Sequence, residues 1–426
     1  PVTSPTPDAR AALLSLEQIG IKLGLDQIRA LVDALGRPDR AFPSIVVAGT
    51  NGKGSVTAML ERGLRAAGLR TGRYTSPHLV ALEERFAIDG RDITTETFDA
   101  AARRVLAASV ALPAPPSFFE ATTALALEVF REARIDVAVL EVGLGGRLDA
   151  TNVVSSMAVA ITAVDFDHEA FLGHTIEAIA REKAGVIKPN GLVVLAPNPP
   201  AVETIVSETC ATRGARLLRA AHVVIESTTM DAGQAVVTMT TPRRRYDDLR
   251  LGLRGRHQID NARTAVRLLE ALDGTGRFAI DEAAIRTAVE DVIWPGRLEL
   301  VRSAAGEILI DGAHNPAGAR ALAAYVIETY GRRLPFVVAI MHDKQIDTIL
   351  TALAPAASCF VCTAPETPRA ARPDELALAA TRVAPDVAVS TAADPMTAID
   401  RAAAAGSPVV VAGSLYLAGD VRAHVS

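Results

Sequence analysis

Residues 43–55 have the sequence PSIVVAGTNGKGS, in which a short apolar run leads into a glycine-rich loop. The run Pro43–Ala48 is continuously apolar after Ser44, which is the pattern of a parallel strand buried on both faces. The residues after the loop, Val56–Ala67, have the spacing of a helix. A strand, a glycine loop and a helix in this order predict the first unit of a doubly wound α/β fold.

The loop Gly49–Ser55 has the composition of a phosphate-binding site. Its glycines allow several backbone N–H groups to face one anion, and the start of the helix adds a partial positive charge. Lys53 would reach the outer phosphates, and the Ser55 hydroxyl would lie near Mg²⁺. The spacing departs from the common Walker pattern, because Gly54 separates Lys53 from Ser55. The alternative is a glycine-rich turn that binds no ligand.

Further short apolar runs indicate strands along the rest of the chain. They lie at Val137–Leu140, Met157–Thr162, Leu192–Leu195, Ile308–Ile310, Phe336–Ile340, Phe360–Cys362 and Val409–Ala412. Helical patterns lie between them, for example at Thr122–Ala133 and Asn315–Tyr330. We therefore predict an α/β protein with an N-terminal P-loop-type doubly wound sheet domain and a smaller C-terminal Rossmann-like domain.

Two changes of pattern indicate how the chain is divided. Val223–Ile225, Ala235–Met239 and Leu249–Leu253 read as antiparallel strands, which predict a small sheet at the edge of the first domain. Trp294–Arg297 breaks the pattern before a new series of strands and helices. A length of 426 residues favours two domains. We place an N-terminal domain that contains the phosphate loop at 1–295 and a C-terminal domain at 296–426.

Composition excludes several classes of protein. The net charge of −5 leaves no basic excess for neutralising nucleic-acid phosphates. The one dense basic cluster, Arg243–Arg245, is followed by Asp247 and Asp248, so we expect a solvated surface turn. No signal segment and no apolar run of about 18 residues is present, so neither a membrane span nor export is expected, and we expect a cytoplasmic protein.

The three cysteines are too few for a disulfide framework. Cys359 and Cys362 have the spacing of a metal or redox pair. They lie in an apolar run, however, where a strand would point their side chains to opposite faces. We therefore expect Cys359, Cys362 and Cys210 to be core residues.

Two further strand ends carry groups that could bind a metal. Glu141 ends an apolar run and precedes a glycine-rich stretch, at the edge where parallel sheets bind ligands. A carboxylate there suits Mg²⁺, although a lone strand-end glutamate can also be a cap or a surface residue. His168 alone is more often structural, but near Glu141 it is a candidate second metal ligand.

Lys183 lies in the predicted helix before Lys188 and Pro189, and taken alone it would be assigned to solvent.

The ordered set of motifs resembles the folylpolyglutamate synthase/dihydrofolate synthase family, within the Mur ligase superfamily. The resemblance runs from the phosphate loop to Gly419. The motifs are GTNGKGS at 49–55, TSPHL at 75–79, FFEATTA at 118–124, LEVGLGGRLDATN at 140–152, DHEAFLG at 167–173, EKAGVIKP at 182–189, GRHQIDNA at 255–262, WPGR at 294–297, DGAHNP at 311–316 and GSLYLAG at 413–419. His174 falls where an acidic or amide residue is expected, and we have no account of it.

The resemblance implies a nucleotide site and two magnesium sites. Lys53 and the loop residues Thr50, Asn51, Gly52, Gly54 and Ser55 would hold the ATP phosphates. Asn261 and Arg297 would contact the nucleotide, and Asp311 would hold its ribose. Ser55 and Glu141 would bind one Mg²⁺, while Ser76, Glu141 and His168 would surround a second. Lys183 matches the lysine that the family carbamylates.

The resemblance also implies the substrates, which are ATP, L-glutamate and a pterin or folate acid. Segments around Ser76–Arg85 (with Pro77 and His78) and Phe119–Thr123 (with Glu120) would line the pterin pocket. His314 would lie in the cleft between the domains, and Ser414 would lie near glutamate. The chemistry expected is transfer of the ATP γ-phosphoryl group to a carboxylate, followed by attack of the glutamate amine on the acyl phosphate.

Two other functions fit parts of the sequence. A Mur-type ligase of cell-wall precursors shares the phosphate loop and the metal residues, but TSPHL and FFEATTA favour the folate branch. A nucleotide-binding regulatory protein would be expected to lack Lys53, Glu141 or His168, and all three are present. Within the family, the residues leave open whether dihydropteroate, folate or both are glutamylated, although the compact FFEATTA and TSPHL segments suit a bifunctional enzyme. We expect a monomer.

Overall fold

The computed structural model describes residues 8–303 and 306–425. Its N-terminal part contains a sheet of eight strands. These are β1 (Ser44–Ala48), β2 (Thr71–Tyr74), β3 (Phe86–Ile88), β4 (Arg91–Asp92), β5 (Val137–Glu141), β6 (Ala158–Ile161), β7 (Leu192–Leu195) and β8 (Arg216–Arg219). The order across the sheet is β4-β3-β2-β5-β1-β6-β7-β8. All pairs from β2 to β8 in this order are parallel, which makes the unit doubly wound.

Helices cover both faces of this sheet. They are α1 (Ala9–Ser15), α2 (Asp26–Ala34), α3 (Lys53–Ala66), α4 (Thr95–Ser109), α5 (Phe118–Ala133), α6 (Glu169–Leu172), α7 (Ile176–Ala184), α8 (Pro200–Arg213), α9 (His257–Asp273) and α10 (Glu282–Glu290). Short 3₁₀ helices lie at Leu16–Ile19, Pro38–Arg40, Leu82–Arg85, Ala150–Val153 and Ala220–His222. One apolar core forms on each face, so the central strands are buried on both sides.

The central strands bring the chemically active segments to one edge of the sheet. β1 pairs with β5 on one side and with β6 on the other, in a register that aligns Val47 with Glu141 and Ala48 with Ile161. Parallel strands all end at the same edge. The phosphate loop after β1, Glu141 at the end of β5 and the segment after β6 therefore meet there.

The predicted antiparallel strands form a sheet of their own, in the order β11-β10-β9. They are β9 (Val224–Asp231), β10 (Gln234–Thr240) and β11 (Arg245–Arg254). Their apolar face, which includes Val237, Leu249 and Leu251, shares one core with α3, α9 and α10. This small sheet therefore packs in the same core as α3, the helix that begins at the phosphate loop.

The C-terminal part is a six-stranded sheet in the order β12-β13-β17-β14-β15-β16. Its strands are β12 (Glu299–Ser303), β13 (Gly306–Ile310), β14 (Leu334–Val338), β15 (Ala357–Cys362), β16 (Ala388–Thr391) and β17 (Val409–Ala412). The helices are α11 (Pro316–Tyr330), α12 (Ile346–Leu353), α13 (Pro373–Val383), α14 (Pro395–Ala403) and α15 (Leu415–Val425), with a 3₁₀ turn at Ala354–Ala356. Only β12 runs antiparallel to its neighbour.

The predicted fold class is confirmed, with differences at particular elements. The sequence pattern missed β2, β3, β4, β8, β12 and β16. β2 and β8, for example, contain Arg73 and Arg216 in place of a continuous apolar run. The helix after the loop begins at Lys53, three residues before the predicted start at Val56. The domain boundary at 295/296, between the end of α10 and the start of β12, remains our proposal.

Other sequence expectations concern single residues. The cysteines are free, with Cys210 and Cys362 buried and Cys359 partly exposed. Arg243, Arg244 and Arg245 lie at the turn into β11, and each forms an ion pair with an acidic side chain. Within residues 8–303 and 306–425, no helix is both long enough and apolar enough to cross a membrane.

A candidate active site between the two sheets

The phosphate loop is packed so closely that its glycines cannot carry side chains. Gly52 has a φ of +88°, and a Cβ there would lie 2.3 Å from the Asn261 side-chain oxygen. A Cβ at Gly49 would lie 1.8 Å from the hydroxyl of Thr162. The loop backbone therefore lies close to its neighbours and leads directly into the N-terminus of α3, the arrangement by which glycine-rich loops bind anions.

Hydrogen bonds hold the loop against the segment that follows β6. The N–H groups of Thr50 and Asn51 donate to the Ala163 carbonyl, at 2.8 and 3.2 Å. The Thr50 hydroxyl donates to the Asp165 carbonyl at 2.9 Å. Lys53, at the first position of α3, turns its ammonium group back onto the Thr50 carbonyl at 3.1 Å. The charge of Lys53 therefore lies over the loop itself.

Polar residues of α9 complete this side of the site. Gln258 donates to the Ser55 hydroxyl at 3.3 Å and accepts from the Asn261 amide at 2.8 Å. Ser55 and Gln258 are almost fully buried. Asn261 was predicted to contact the nucleotide and Ser55 to bind Mg²⁺. Gln258 joins these two side chains in one hydrogen-bonded group.

Glu141 and Ser76 are brought together as predicted from sequence. The backbone N–H of Ser76 donates to the Glu141 carboxylate at 3.3 Å. Burial raises the pKa of Glu141, and the nearby charges of Lys53 and Arg297 only partly oppose that rise. A buried carboxylate of this kind is stabilised in its ionised form by a bound cation.

Lys183 is buried, which corrects the assignment to solvent that its sequence neighbours suggested. It is 4% exposed, and its ammonium group donates to the Gly49 carbonyl at 2.7 Å. Burial, with repulsion from Lys53, lowers the pKa of Lys183 to about 7. Much of the amine is therefore uncharged near neutral pH.

Residues of both sheet units meet around Asp167. Lys344, from the loop after β14, lies 2.6 Å from its carboxylate, and His314 lies 3.6 Å away. His168 lies 3.9 Å from the same carboxylate. Burial alone would raise the pKa of Asp167, but the neighbouring His314, His168 and Lys344 hold it well below its usual range. Asp167 is therefore ionised at neutral pH.

His168 does not lie at the strand end itself, because β6 ends at Ile161. It has a φ of +52° and directly precedes α6. Burial, opposed by the charge of Asp167, lowers the pKa of His168 to about 4. Its imidazole is consequently neutral at pH 7, the form in which histidine binds metals. Among residues 8–303 and 306–425, no three His, Cys, Asp or Glu side chains are grouped as a metal cage.

A second polar contact crosses the cleft at the phosphate loop. Asn315 caps the N-terminus of α11 and donates its amide to the Asn51 side chain at 2.9 Å. The same amide lies 3.4 Å from Asp167. The loop that begins the nucleotide site therefore contacts the C-terminal sheet unit directly.

Asp311 and Arg297 lie at the junction between the sheet units. The Asp311 carboxylate accepts from the N–H groups of Leu298 and Ala313, both at 2.9 Å. Arg297 donates to the Gly296 carbonyl at 3.1 Å, and a Cβ at Gly312 would lie 2.3 Å from its guanidinium. Both side chains are thus held by the segment that joins the units. Their predicted contacts with the nucleotide remain predictions.

Each of the two segments predicted to line the acceptor pocket is held by contacts of its own. Phe119 packs on Tyr74, with ring centroids 6.0 Å apart, and Thr123 donates to the Tyr74 hydroxyl at 3.4 Å. His78 accepts from Arg85 at 3.0 Å, and burial with the Arg85 charge lowers the pKa of His78 to about 4. The His78 ring is therefore neutral, as suits a wall against an aromatic ligand.

Two predicted substrate residues have structural contacts of their own. The Glu120 carboxylate accepts from the N–H and hydroxyl of Ser117, both at 2.8 Å, and so caps α5. Ser414 is buried before α15, and its hydroxyl accepts from the N–H of Tyr416 at 3.0 Å. Pro77, next to Ser76, has an apolar side chain that cannot form a hydrogen bond. The substrate roles of these residues remain predictions.

A cavity of about 140 Å³ lies between the two sheet units. Its lining includes Phe166, Asp167, His168, His314, Asn315 and Lys344. Asp167, Asn315 and Lys344 were not singled out from sequence. Asp167 and Asn315 fell within quoted motifs without an assigned role, whereas Lys344 lies outside them. Their association depends on contacts between distant parts of the chain.

Comparisons with known proteins agree with this arrangement. Residues 47–269 match the Mur ligase middle domain, and residues 296–415 match the Mur ligase glutamate ligase domain. The dihydrofolate synthase/folylpolyglutamate synthase of Mycobacterium tuberculosis is 38% identical, over 98% of this chain and 95% of that protein.

Solved structures show the same likeness. The folylpolyglutamate synthase of Mycobacterium tuberculosis, complexed with ADP and AMPPCP, matches with a TM-score of 0.90 and 36% identity, over 98% of this chain and 99% of that one. A bifunctional folylpolyglutamate synthase/dihydrofolate synthase with Mn, AMPPNP and L-glutamate bound matches with a TM-score of 0.86 and 30% identity, over 100% of this chain and 99% of that one.

Proposed function

The chain belongs to the folylpolyglutamate synthase/dihydrofolate synthase family of Mur-type ligases, and on that premise we propose that it joins L-glutamate both to dihydropteroate and to reduced folates. The observation that carries the proposal is the arrangement around the cleft. One side presents a phosphate loop with Glu141 and Ser76, and the other presents His314 and Lys344. This arrangement suits an ATP-dependent amide-bond synthesis.

The first half of the reaction is phosphoryl transfer to the acceptor. Free carboxylates do not acylate amines, because the leaving group would be oxide. The loop and Lys53 would hold the ATP phosphates while the acceptor carboxylate attacks the γ-phosphorus, releasing ADP and forming an acyl phosphate. Positioning the two substrates in this way contributes about 7–11 kcal/mol in well-oriented systems.

Ser55, Ser76, Glu141 and His168 fit the binding of two Mg²⁺ ions at this step. The first ion would be held by Ser55 and Glu141, and the second by Ser76, Glu141 and His168. The buried carboxylate and the neutral imidazole support this assignment. When bound, such ions neutralise charge on the transferring phosphoryl group.

We also propose that Lys183 is carbamylated. Its uncharged amine would add to CO₂ and release a proton, which gives a carbamate anion. Two features support this: a substantial fraction of the amine is uncharged near neutral pH, and Lys53 is the neighbouring charge with the largest effect on its pKa. Carbamylation would replace the repulsion between the two lysines by an attraction.

The second half of the reaction is aminolysis. The glutamate amine would attack the acyl phosphate, and the tetrahedral intermediate would collapse to an amide and phosphate. Residues from both sheet units enclose the cavity, and their contacts across it support exclusion of water from the acyl phosphate.

An isotope experiment tests the mechanism. The acceptor carboxylate is labelled with ¹⁸O and incubated with ATP, Mg²⁺ and glutamate. Formation of an acyl phosphate transfers one labelled oxygen from the acceptor to inorganic phosphate, which mass spectrometry detects. Phosphate released without the label would contradict the acyl-phosphate mechanism.

A further inference from the structure

The segment that joins the two sheet units contacts three parts of the active site. Trp294, at its start, lies against the phosphate loop. Gly296 lies over the side chain of Leu79 in the acceptor segment, and its carbonyl accepts from the N–H of Gly312 at 2.8 Å. Arg297 follows directly. Four consecutive residues therefore connect the nucleotide, acceptor and C-terminal sides of the site.

The indole of Trp294 is fitted against the start of α3. A Cβ at Gly54 would lie 2.7 Å from the indole nitrogen and 3.1 Å from the adjoining ring carbon. Gly54 is the residue between Lys53 and Ser55 that departs from the common phosphate-loop pattern. The departure has a physical reason here, since only glycine leaves room for the ring edge.

Arg73 holds the face of the same ring. Its guanidinium carbon lies 4.8 Å from the centre of the Trp294 ring. The Arg73 side chain is 12% exposed, and its closest acidic partner, Asp92, is 3.6 Å away. Among residues 8–303 and 306–425, its Nε has no hydrogen-bond partner. A poorly solvated guanidinium whose ion pair is long interacts strongly with an aromatic face.

We propose that Trp294, held by Arg73, is a positioning residue that couples nucleotide occupancy of the phosphate loop to the linker carrying Arg297. The proposal rests on the proposed function, because it assigns ATP to that loop. Movement of the first turn of α3 on phosphate binding displaces the indole edge at Gly54. Because Trp294 begins the linker, the same displacement is passed to Gly296 and Arg297.

The protein provides its own reporter for this coupling, since Trp294 is its single tryptophan. Intact protein is titrated with ADP and Mg²⁺ while emission is recorded, and binding is measured independently by calorimetry. The emission is expected to change and to saturate at the calorimetric Kd. Calorimetric binding with unchanged emission would overturn the proposal.

A double-mutant cycle distinguishes coupling from simple packing. Arg73→Met and Trp294→Leu are each expected to raise the Kd for ADP about tenfold, and the double variant is expected to raise it no further. Trp294→Phe, which keeps a ring over Arg73, should retain the wild-type Kd within about threefold. Circular dichroism confirms folding, and Arg70→Met, at the exposed arginine before β2, is the control.

Two results would count against the inference. Additive effects of the two substitutions, or wild-type ADP binding in folded Arg73→Met and Trp294→Leu proteins, would overturn it. Failure of the proposed function gives a different pattern. In that case neither pterin acceptor is glutamylated, while the emission response to ADP and the coupled Kd values are still observed.

Discussion

The ammonium group of Lys344 lies 2.6 Å from the Asp167 carboxylate, and this ion pair joins the two sheet units across the cleft. Both side chains are largely buried, at 8% and 10% exposed. A second pair, Arg320 with Asp165, also joins the units but is exposed at 59% and 35%. Burial therefore distinguishes two otherwise similar contacts.

The two pairs give a matched test of cleft closure. Lys344→Met leaves the Asp167 charge buried without its closest partner, which costs about 3–5 kcal/mol in comparable cases. We expect kcat/KM to fall by about two orders of magnitude, and Arg320→Met to change it by less than about twofold. Steady-state ligation assays measure both, and equal effects of the two substitutions would contradict a special role for the buried pair.

A similar comparison is possible between Gly52, in the phosphate loop, and Gly68, which follows the C-terminus of α3. Gly52 and Gly68 have φ values of +88° and +83°, but only Gly52 has a side chain within reach of an added Cβ. Gly68→Ala should cost only the conformational strain of about 1–2 kcal/mol in unfolding free energy. Gly52→Ala should in addition raise the KM for ATP by about tenfold or more, because Asn261 must move. Equal KM values would show that the close approach is unimportant.

Glu141 should act on turnover more than on nucleotide affinity. Glu141→Gln keeps the shape of this buried side chain but removes the charge that would hold both cations. We expect kcat to fall by more than about a hundredfold and the Kd for ADP to rise by less than about fivefold. Stopped assays and calorimetry measure the two quantities. Losses of equal size in kcat and in ADP affinity would contradict a role specific to the transition state.

Lys183 provides a test of carbamylation that needs no substitution. The amine that reacts with CO₂ is the uncharged form, which increases as pH rises through the pKa of about 7. Removal of dissolved CO₂ should lower ligation, and added bicarbonate should restore it.

A folded Lys183→Ala protein should lose ligation and should not respond to bicarbonate. Lys188→Ala is the control, since Lys188 is also partly buried but donates to the Asn152 carbonyl, away from the phosphate loop. Near-normal turnover in Lys183→Ala would refute the carbamate.

The sequence predicted the elements whose own residues specify them. β1 and β5 are buried, continuously apolar strands, and α5 was predicted from its helical pattern over Thr122–Ala133. Its Ser117–Glu120 capping box, which the prediction did not use, starts the helix at Phe118. By contrast, β2 contains Gly72 and Arg73, and its burial depends on neighbouring strands and on Trp294. The residues of β2 alone therefore do not indicate a buried strand.

The site residues also fall into two groups, those that the sequence predicted and those that only the structure brings together. Lys53 and Glu141 follow apolar strands and could be found from that position alone. The burial of Lys183, and the meeting of Asp167 with Lys344, depend on packing between segments far apart in the chain. Asn315 likewise contacts Asn51 across 264 positions of sequence. Only the folded arrangement brings these groups together.

Product mass is the most direct test of the central claim. The purified protein is incubated with ATP, Mg²⁺ and L-glutamate, with dihydropteroate or tetrahydrofolate as acceptor, and the masses of the pterin products are measured. We expect one glutamyl unit to be added to dihydropteroate and successive units to tetrahydrofolate, each with release of one phosphate. ATP-dependent phosphate release without a mass increase in either acceptor would contradict the folate assignment.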